Sequence, residues 1–335
     1  MKNNVGIGYG SRPLVGSLWI EAERHAALRT MSLPVPGPGQ AIVRAQWSGI
    51  SRGTERIVFE GRVPKSEHER MRCPHQEGSF AFPIKYGYAL VGEREDAPCG
   101  DMAGAVFVLH PHQERICVDE SALYPLPSTV PPRRAILAAN METALNAVWD
   151  AGAGPGDKVL VVGLGVIGLL TAYVTARIIG TTVTAVDINP ARADVANKLG
   201  VRFAENANAP TEQDVVFHAS ASAAGLALSL RCAGQDATVV ELSWYGDRLV
   251  EVPFGTYFHS RRLRLISSQV GSLPPDRAPR WSHARRLRAA LSLLAAPELD
   301  ALITSEIAFA DLPKQLPSIL AADGSGLMTA VRYGD

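Results

Sequence analysis

The chain has 335 residues, of which 47% are apolar and 20% charged, and its 33 basic side chains balance 33 acidic ones. This length is enough for two domains with buried cores. A net charge of zero gives no general attraction to nucleic acid or to an anionic membrane surface. We therefore expect a small-molecule substrate, and no nucleic-acid or membrane partner.

Two further features of the sequence bear on the cellular location of the protein and on the redox state of its cysteines. Its first eight residues contain one lysine and no apolar signal-peptide core, and its apolar runs are short, so we expect a cytoplasmic protein without membrane spans. The four cysteines form no C-x-x-C pair. This spacing excludes a zinc ribbon, and we expect reduced thiols.

The first part of the chain, to about residue 135, is rich in glycine and proline. Short β-type runs occur at residues 41–45, 89–93 and 105–109. This glycine- and proline-rich composition with short β-type runs predicts an all-β unit of short strands and irregular loops.

After residue 132 helical and strand patterns alternate, beginning with a helix at 133–151 that ends in a glycine-rich turn. The next predicted helices span residues 169–179, 191–199 and 223–232. The predicted strands span residues 158–162, 181–187, 201–204, 214–217, 238–242 and 263–268. Six strands with intervening helices predict an α/β fold with a doubly wound parallel sheet. A helix at 283–295 and a closing strand at 327–333 follow.

A glycine pattern connects the first strand of this sheet to the next helix. It consists of Gly163, Leu164, Gly165, Val166, Ile167 and Gly168. The glycines permit a tight turn, a close approach of the backbone to a pyrophosphate, and close packing of helix on strand. The helix's first N–H groups would then bind the phosphates, which predicts a dinucleotide site.

Asp187 stands 19 residues after Gly168, at the end of the second strand. A carboxylate there can accept hydrogen bonds from ribose hydroxyls, which favours NAD over NADP. Arg192 is either part of a solvated helix face or a partner for the adenosine end, so NADP binding stays possible. In the alternative interpretation, the glycines form only a tight connection and Asp187 only starts a helix.

Several segments resemble the medium-chain dehydrogenase/reductase superfamily, and the likeness covers nearly the whole chain. Besides the glycine pattern they are PVPGPGQ (34–40), SGISRGTE (48–55), FPIKYGYALVGE (82–93), AANMETAL (138–145) and AVDINPAR (185–192). The resemblance implies a GroES-like catalytic domain at 1–138, a Rossmann domain at 139–272 and a return segment at 273–335. It also implies hydride transfer with a nicotinamide cofactor, and a homodimer or homotetramer joined through edge strands.

The chain departs from this family at the catalytic metal. Where zinc-dependent members have a cysteine, this chain has Ser51 or Arg52, and where they have a histidine it has Tyr88. The third ligand position falls near Ala139 or Asn140. These side chains are not a normal zinc ligand set, and the four-cysteine structural lobe is absent, so we expect no zinc. The same stretches resemble the branch that contains bacteriochlorophyllide dehydrogenase, which implies a secondary alcohol and ketone pair.

Without zinc, hydrogen-bond donors must stabilise the reacting oxygen. Thr54 matches the family's proton-relay position. His110 follows a strand at a place that faces the substrate in relatives, and is either a general acid or base or a locally satisfied loop residue. Tyr88 either donates a hydrogen bond or fills the vacated volume, which we favour, and His112 is expected to face solvent.

Other positions are expected along the cofactor. Thr143 matches the family's contact behind the nicotinamide ring, and Ser220 and Ser243 follow the fourth and fifth strands, whose carboxyl ends border the ligand crevice. Glu142 is either a buried acid or a surface charge. An excess of arginines at 261–288 is expected mostly on a solvated face.

These features predict a zinc-independent, NAD(P)-dependent oxidoreductase acting on a hydroxyl/carbonyl pair of a small biosynthetic intermediate. An enone or quinone reductase of the same superfamily is the first alternative. A dinucleotide-binding sensor or scaffold without catalysis is the second.

Overall fold

The structure is a computed structural model that describes residues 13–95 and 104–334. The N-terminal residues that carry the signal-peptide prediction, and Cys99, lie outside the described residues. Within the described ranges, no helix is long and apolar enough to cross a membrane.

The first half of the chain is rich in β-structure, as expected. Its strands are β1 (Leu14–Ala22), β2 (His25–Ser32), β3 (Gln40–Ile50), β4 (Glu77–Gly78), β5 (Ile84–Lys85), β6 (Leu90–Arg94), β7 (Ala105–Val108), β8 (Arg115–Asp119) and β9 (Tyr124–Pro125). Helix α1 (Arg52–Phe59) directly follows β3. One sheet has the order β2-β1-β5-β4, while β3, β6, β7 and β9 are consecutive neighbours in a larger one.

The second half confirms the predicted parallel sheet. Its elements are α2 (Pro132–Ala135), α3 (Ala138–Ala151), β10 (Lys158–Val162), α4 (Val166–Thr175), β11 (Thr182–Val186), α5 (Arg192–Lys198), β12 (Arg202–Ala204), β13 (Gln213–His218), α6 (Ala223–Cys232), β14 (Ala233–Glu241) and β15 (Arg264–Ser267). The strand order is β12-β11-β10-β13-β14-β15, with all pairs parallel. Strands β11 and β12 are added on one side of β10, and β13, β14 and β15 on the other. The strand order therefore reverses between β10 and β13, where a doubly wound fold binds its ligand.

The tail rejoins the first half. After α7 (His283–Leu293) come β16 (Ile303–Ala308), α8 (Leu312–Ile319) and β17 (Met328–Arg332). Strand β17 pairs antiparallel with β3, with Ala330 opposite Gly49, so the closing strand extends the β3 sheet. Strand β16 and helix α8 are not among the elements predicted from the sequence.

Two predicted elements differ most from the structure. The helix expected at 133–151 is divided into α2 and α3 by Ile136 and Leu137, which are both fully buried, so tertiary packing overrides local helix propensity there. Strand β14 begins at Ala233 rather than at 238, because Ala233 pairs with Gln213 ahead of a register shift that precedes the Val215–Thr238 pair.

Arg286 is a buried exception among the arginines of 261–288. Arg286 is only 1% exposed. Its Nε donates to Oε1 of Glu142 at 3.0 Å. Its other nitrogens donate to Asn146 and to the carbonyl oxygens of Val270 and Ser272. Glu142 is therefore a buried acid, and the pair joins α3 to α7 and to the loop after β15.

Replacing Arg286 with methionine should lower the free energy of unfolding by about 3 kcal/mol, because Glu142 would be left buried without its cation. Urea denaturation measures this. Arg288→Met, an exposed position on the same helix, should change stability by less than about 0.5 kcal/mol. Equal losses in the two variants would contradict a special role for the buried pair.

Candidate active site

A cleft of about 890 Å³ lies where the β-rich half meets the parallel sheet. Its walls carry Ser51, Thr54 and Tyr88 from the first half, Asn140 and Thr143 from α3, and residues 165–168 from the glycine loop. The ends of β13 and β14 contribute Ala219, Ala221, Leu242 and Ser243. The cleft therefore borders the carboxyl edge of the sheet.

The glycine loop is shaped by close contacts on one side and open space on the other. A Cβ at Gly168 would lie 1.9 Å from the carbonyl oxygen of Gly163. Gly163 has φ +96°, and its Cβ would lie 2.6 Å from the backbone of Ser220. A Cβ at Gly165 would meet nothing within 4 Å, so this glycine leaves room for a pyrophosphate beside the first turn of α4.

Asp187 is tied to the same loop. Its Oδ2 accepts a hydrogen bond from the Leu164 N–H at 2.6 Å, and its Oδ1 accepts one from the Asn189 N–H at 2.8 Å. The Leu164 side chain is fully buried in the core.

Arg192 lines the cleft and donates to the Ser325 carbonyl oxygen at 2.6 Å. Burial lowers the pKa of its guanidinium, and the charge of Asp187 opposes that shift.

The positions of the missing zinc ligands meet in one place. The Asn140 amide donates to Ser51 Oγ at 3.1 Å, and the hydroxyls of Ser51 and Thr54 lie beside the Tyr88 phenol. We call Ser51, Thr54, Tyr88 and Asn140 the hydroxyl cluster. Asn140 is 3% exposed, and its Oδ1 has no hydrogen-bond partner within the described ranges. A buried acceptor of this kind is costly unless a ligand satisfies it.

The Tyr88 phenol remains protonated. Burial and the negative charge of Glu55 raise its pKa above the ordinary tyrosine range, and the hydroxyls of Ser51 and Thr54 oppose this only partly. Tyr88 therefore offers an O–H donor to the cleft at neutral pH.

A buried polar chain runs behind the hydroxyl cluster. Glu55 accepts a hydrogen bond from the Ser51 N–H at 2.7 Å, and its other oxygen lies 3.2 Å from His112 Nε2. His112 Nδ1 lies 2.7 Å from Ser48 Oγ, which in turn lies 2.9 Å from the Tyr333 hydroxyl. The expectation that His112 faces solvent is wrong, because its side chain is 1% exposed and participates in this chain.

Arg52 points away from the metal position. Its guanidinium donates to the carbonyl oxygens of Ile319, Ala321, Gly324 and Gly326, at 2.6 to 2.8 Å. Ser51, and not Arg52, therefore stands where the family has a cysteine. The arginine attaches the start of α1 to the segment between α8 and β17.

His110 lies in a second, smaller pocket of about 250 Å³. Its Nδ1 lies 2.8 Å from the Pro111 carbonyl oxygen, and its ring stacks on His75 with 5.1 Å between ring centroids. Buried Lys85 lines the same pocket. His110 is therefore separated from a substrate in the cleft.

The structure divides the residues singled out from the sequence. Those that line the cleft are Thr54, Tyr88, Thr143, Gly165, Val166, Ile167, Gly168, Arg192 and Ser243. Those outside its lining are His110, Gly163, Leu164, Asp187 and Ser220. Ser51 and Asn140 were not chosen as site residues, although their alignment with two zinc-ligand positions could have indicated them.

No protein-family model matches the chain. It is 26% identical over 201 residues to (R,R)-butanediol dehydrogenase of Bacillus subtilis, covering 50% of this chain and 56% of that protein. It is 35% identical over 105 residues to L-threonine 3-dehydrogenase of Rhizobium etli, covering 31% and 30%. The alignments thus span about half, or less, of these relatives' own lengths.

A solved structure extends the likeness over nearly the whole chain. A structure from Sinorhizobium meliloti 1021, described as a zinc-binding dehydrogenase bound to NADP, matches with a TM-score of 0.76 at 19% identity. The match covers 96% of this chain and 100% of that one. The chain has the medium-chain dehydrogenase/reductase fold.

A catalytic zinc, which this fold carries in many proteins, does not fit the residues present. The hydroxyl cluster supplies a serine, a threonine, a phenol and an amide, none of them a usual zinc ligand. Cys73 lines the cleft, but burial raises the pKa of its thiol to about 12, whereas zinc binds the thiolate. Within residues 13–95 and 104–334, no three His, Cys, Asp or Glu side chains are grouped to hold a metal ion.

Burial lowers the pKa of His110 to about 3, against about 6.5 in an unfolded chain. Between these values only the unfolded chain binds the proton, so stability should fall as the pH falls below about 6.5, by up to ~1.4 kcal/mol per pH unit from this group. His110→Gln should make the pH dependence of urea denaturation shallower. The exposed His25→Gln serves as control, and an unchanged slope in His110→Gln would contradict the assignment.

Proposed function

We propose that this chain is a nicotinamide-dependent oxidoreductase of the medium-chain superfamily that acts on a hydroxyl/carbonyl pair of a small biosynthetic intermediate without a catalytic zinc. One observation carries the proposal: a loop suited to a pyrophosphate and a cluster of hydroxyl donors line the same cleft. The relatives named above are dehydrogenases of alcohols, which supports the same class of reaction.

The glycine loop and the edge of the sheet would hold the cofactor. When bound, nicotinamide supplies or accepts the hydride. Thr143, whose hydroxyl is anchored on the Ala139 carbonyl oxygen at 3.0 Å, would lie behind the ring, and Ser243 would lie beside it. We favour NAD because Asp187 places a carboxylate at the end of β11. Arg192, which faces the cleft, leaves NADP as an alternative.

The hydroxyl cluster would do the work of the metal on the reacting oxygen. The protonated Tyr88 can donate a hydrogen bond to a carbonyl oxygen and can transfer its proton as negative charge develops there. Ser51 and Thr54 are placed to return a proton to Tyr88. Asn140 Oδ1, which has no hydrogen-bond partner among the described residues, can accept a hydrogen bond from a hydroxyl of the substrate.

The protonation of Tyr88 also favours one direction of reaction. A phenol whose pKa is raised by burial and by Glu55 stays protonated at neutral pH, so it can donate a hydrogen bond to a carbonyl oxygen and holds no ionised form that could act as a base. This supports reduction of a carbonyl to an alcohol. Loss of the phenol's proton would leave a phenolate next to a buried carboxylate, so Ser51 and Thr54 would have to replace the proton as it leaves.

A substrate panel with NADH and NADPH tests the proposal, together with elemental analysis of the purified protein. We expect turnover of ketones or secondary alcohols, unaffected by chelator, with far less than one zinc per chain. Turnover of enones or quinones alone would identify the alternative reductase. Tight binding of nicotinamide without any hydride exchange would instead indicate a sensor or scaffold, and stoichiometric zinc would refute the metal-free site.

Tyr88→Phe should lower kcat by about 10²- to 10⁴-fold, the usual contribution of a positioned general acid, while the Kd for NADH stays within a factor of about two. Stopped-flow kinetics and fluorescence titration measure the two quantities. Tyr173→Phe, on α4 and with its hydroxyl 3.3 Å from Glu298, removes a phenol oxygen away from the cleft and should keep kcat. Similar rates for Tyr88→Phe and the native protein would favour a space-filling role.

We also propose a homodimer or homotetramer. Strand β15 ends the parallel sheet and two of its four residues are exposed, so its free edge can pair with a second copy across a twofold axis. The closer likeness to the bacteriochlorophyllide branch and the cytoplasmic location stay predictions.

A further inference from the structure

Ser220, His218 and Glu241 form a hydrogen-bonded series at the carboxyl ends of β13 and β14. Ser220 Oγ lies 2.7 Å from His218 Nε2, and His218 Nδ1 lies 2.7 Å from Glu241 Oε2. The histidine is completely buried, whereas Ser220 is partly exposed. A hydroxyl, an imidazole and a carboxylate in this order have the arrangement of a serine nucleophile, its base and the acid that orients the base.

The fold itself places these side chains together. Strands β13 and β14 are parallel neighbours in which His218 is the partner of Glu241, so both side chains leave the same face of the sheet. Ser220 is two residues further, in the turn that leads into α6. Ala221, the next residue, has φ +51°, a left-handed conformation that is strained for alanine.

Hydrogen-bond donors around Glu241 determine which nitrogen of His218 carries a proton. Glu241 accepts from the Ser243 N–H at 2.8 Å and from the Tyr245 hydroxyl at 3.1 Å. Burial raises the pKa of Glu241, but its hydrogen bonds with His218 and Ser243 outweigh this, so the pKa is lowered. The ionised carboxylate can only accept, so His218 Nδ1 donates to it, and Nε2 of the neutral ring accepts from Ser220.

The start of α6 lies beside this serine. Ser222 Oγ is 2.9 Å from Ser220 Oγ and accepts the Gly225 N–H at 3.0 Å. A Cβ at Gly225 would lie 2.1 Å from Ser220 Oγ, so glycine makes room for the hydroxyl. The exposed Ala223 and Ala224 belong to the first turn, whose N–H groups have no intrahelical partners and can stabilise an oxyanion.

The serine and the histidine of this series lie outside the hydride-transfer cleft. Ala219, Ala221, Glu241 and Ser243 line the cleft, but His218, Ser220 and Ser222 do not. The packing of Gly163 against the backbone of Ser220 leaves the serine side chain on the α6 side of the turn. A second chemistry there would not compete with a substrate held at the hydroxyl cluster.

We infer that Ser220, His218 and Glu241 constitute a second catalytic site, an esterase-type centre for small carboxylic esters that opens at the start of α6. Ser220 Oγ bonds to the acyl carbon while its proton moves to His218 Nε2. The ester C–O bond then breaks, and the leaving alkoxide takes that proton. Water repeats the sequence on the acyl-serine, releasing the acid and restoring the serine.

The experiment uses the full-length protein without nicotinamide. A fluorophosphonate probe should label native protein at Ser220, as peptide mass spectrometry identifies, and p-nitrophenyl acetate should be hydrolysed. Ser220→Ala should abolish labelling and reduce hydrolysis at least about a hundredfold. Ser292→Ala, an exposed serine on α7, should retain both. No labelling of the native protein, or unchanged labelling in Ser220→Ala, would overturn the proposal.

Glu241→Gln separates a catalytic series from a merely structural one. The amide keeps the size of Glu241 but can no longer stabilise an imidazolium, so hydrolysis at neutral pH should fall by at least about tenfold. Circular dichroism shows whether each variant is folded. A folded Glu241→Gln that hydrolyses the ester at the native rate would refute the triad. Because these assays contain no nicotinamide, their outcome is independent of hydride transfer.

Discussion

The close approach of α4 to β10 is the constraint on which both sites depend. The carbonyl oxygen of Gly163 occupies the space where Gly168 would carry a Cβ, and the backbone of Ser220 occupies the corresponding space at Gly163. Three segments, the ends of β10 and β13 and the start of α4, thus meet without intervening side chains. This contact leaves Gly165 facing open space beside the first turn of α4, and it holds the β13 turn so that Ser220 faces α6. A larger residue at either glycine would displace the cofactor loop and the serine together.

The chemistry of the cleft follows from how the fold compensates for the missing metal ligands. Ser51, Tyr88 and Asn140 bring neutral donors and acceptors to the place where the fold usually holds a cation. The buried negative charge of Glu55 stands behind them, next to His112. A carboxylate there would support a cation in front of it, but with neutral neighbours its main electrostatic effect is to keep Tyr88 protonated. In the proposed site, the same carboxylate that would suit a metal centre therefore keeps the phenol in its neutral, hydrogen-bond-donating form.

Local patterns predicted those parts of the fold that depend on neighbouring residues. The strand at 158–162 and the glycine loop follow from an apolar run and from glycines at fixed spacing, and both stand as predicted. The division of the helix at 133–151 and the strand β16 depend on burial against distant segments, which a single sequence does not display. The same limit applies within the site. His110 and His112 are two residues apart, yet one is packed against His75 in a separate pocket and the other hydrogen-bonds to Glu55.

The series at Ser220 illustrates that limit most clearly. His218 and Glu241 are 23 residues apart, and no spacing rule links them. They meet because parallel pairing of β13 and β14 aligns the last residue of each strand. Position alone predicted that Ser220 would face the ligand crevice, since it follows a carboxyl end. That rule places the backbone of a turn, but the direction of each side chain depends on the turn's own dihedral angles and on contacts such as the one at Gly163. The adjacent Ala219 and Ala221 therefore border the crevice, while the Ser220 hydroxyl hydrogen-bonds to His218 and Ser222.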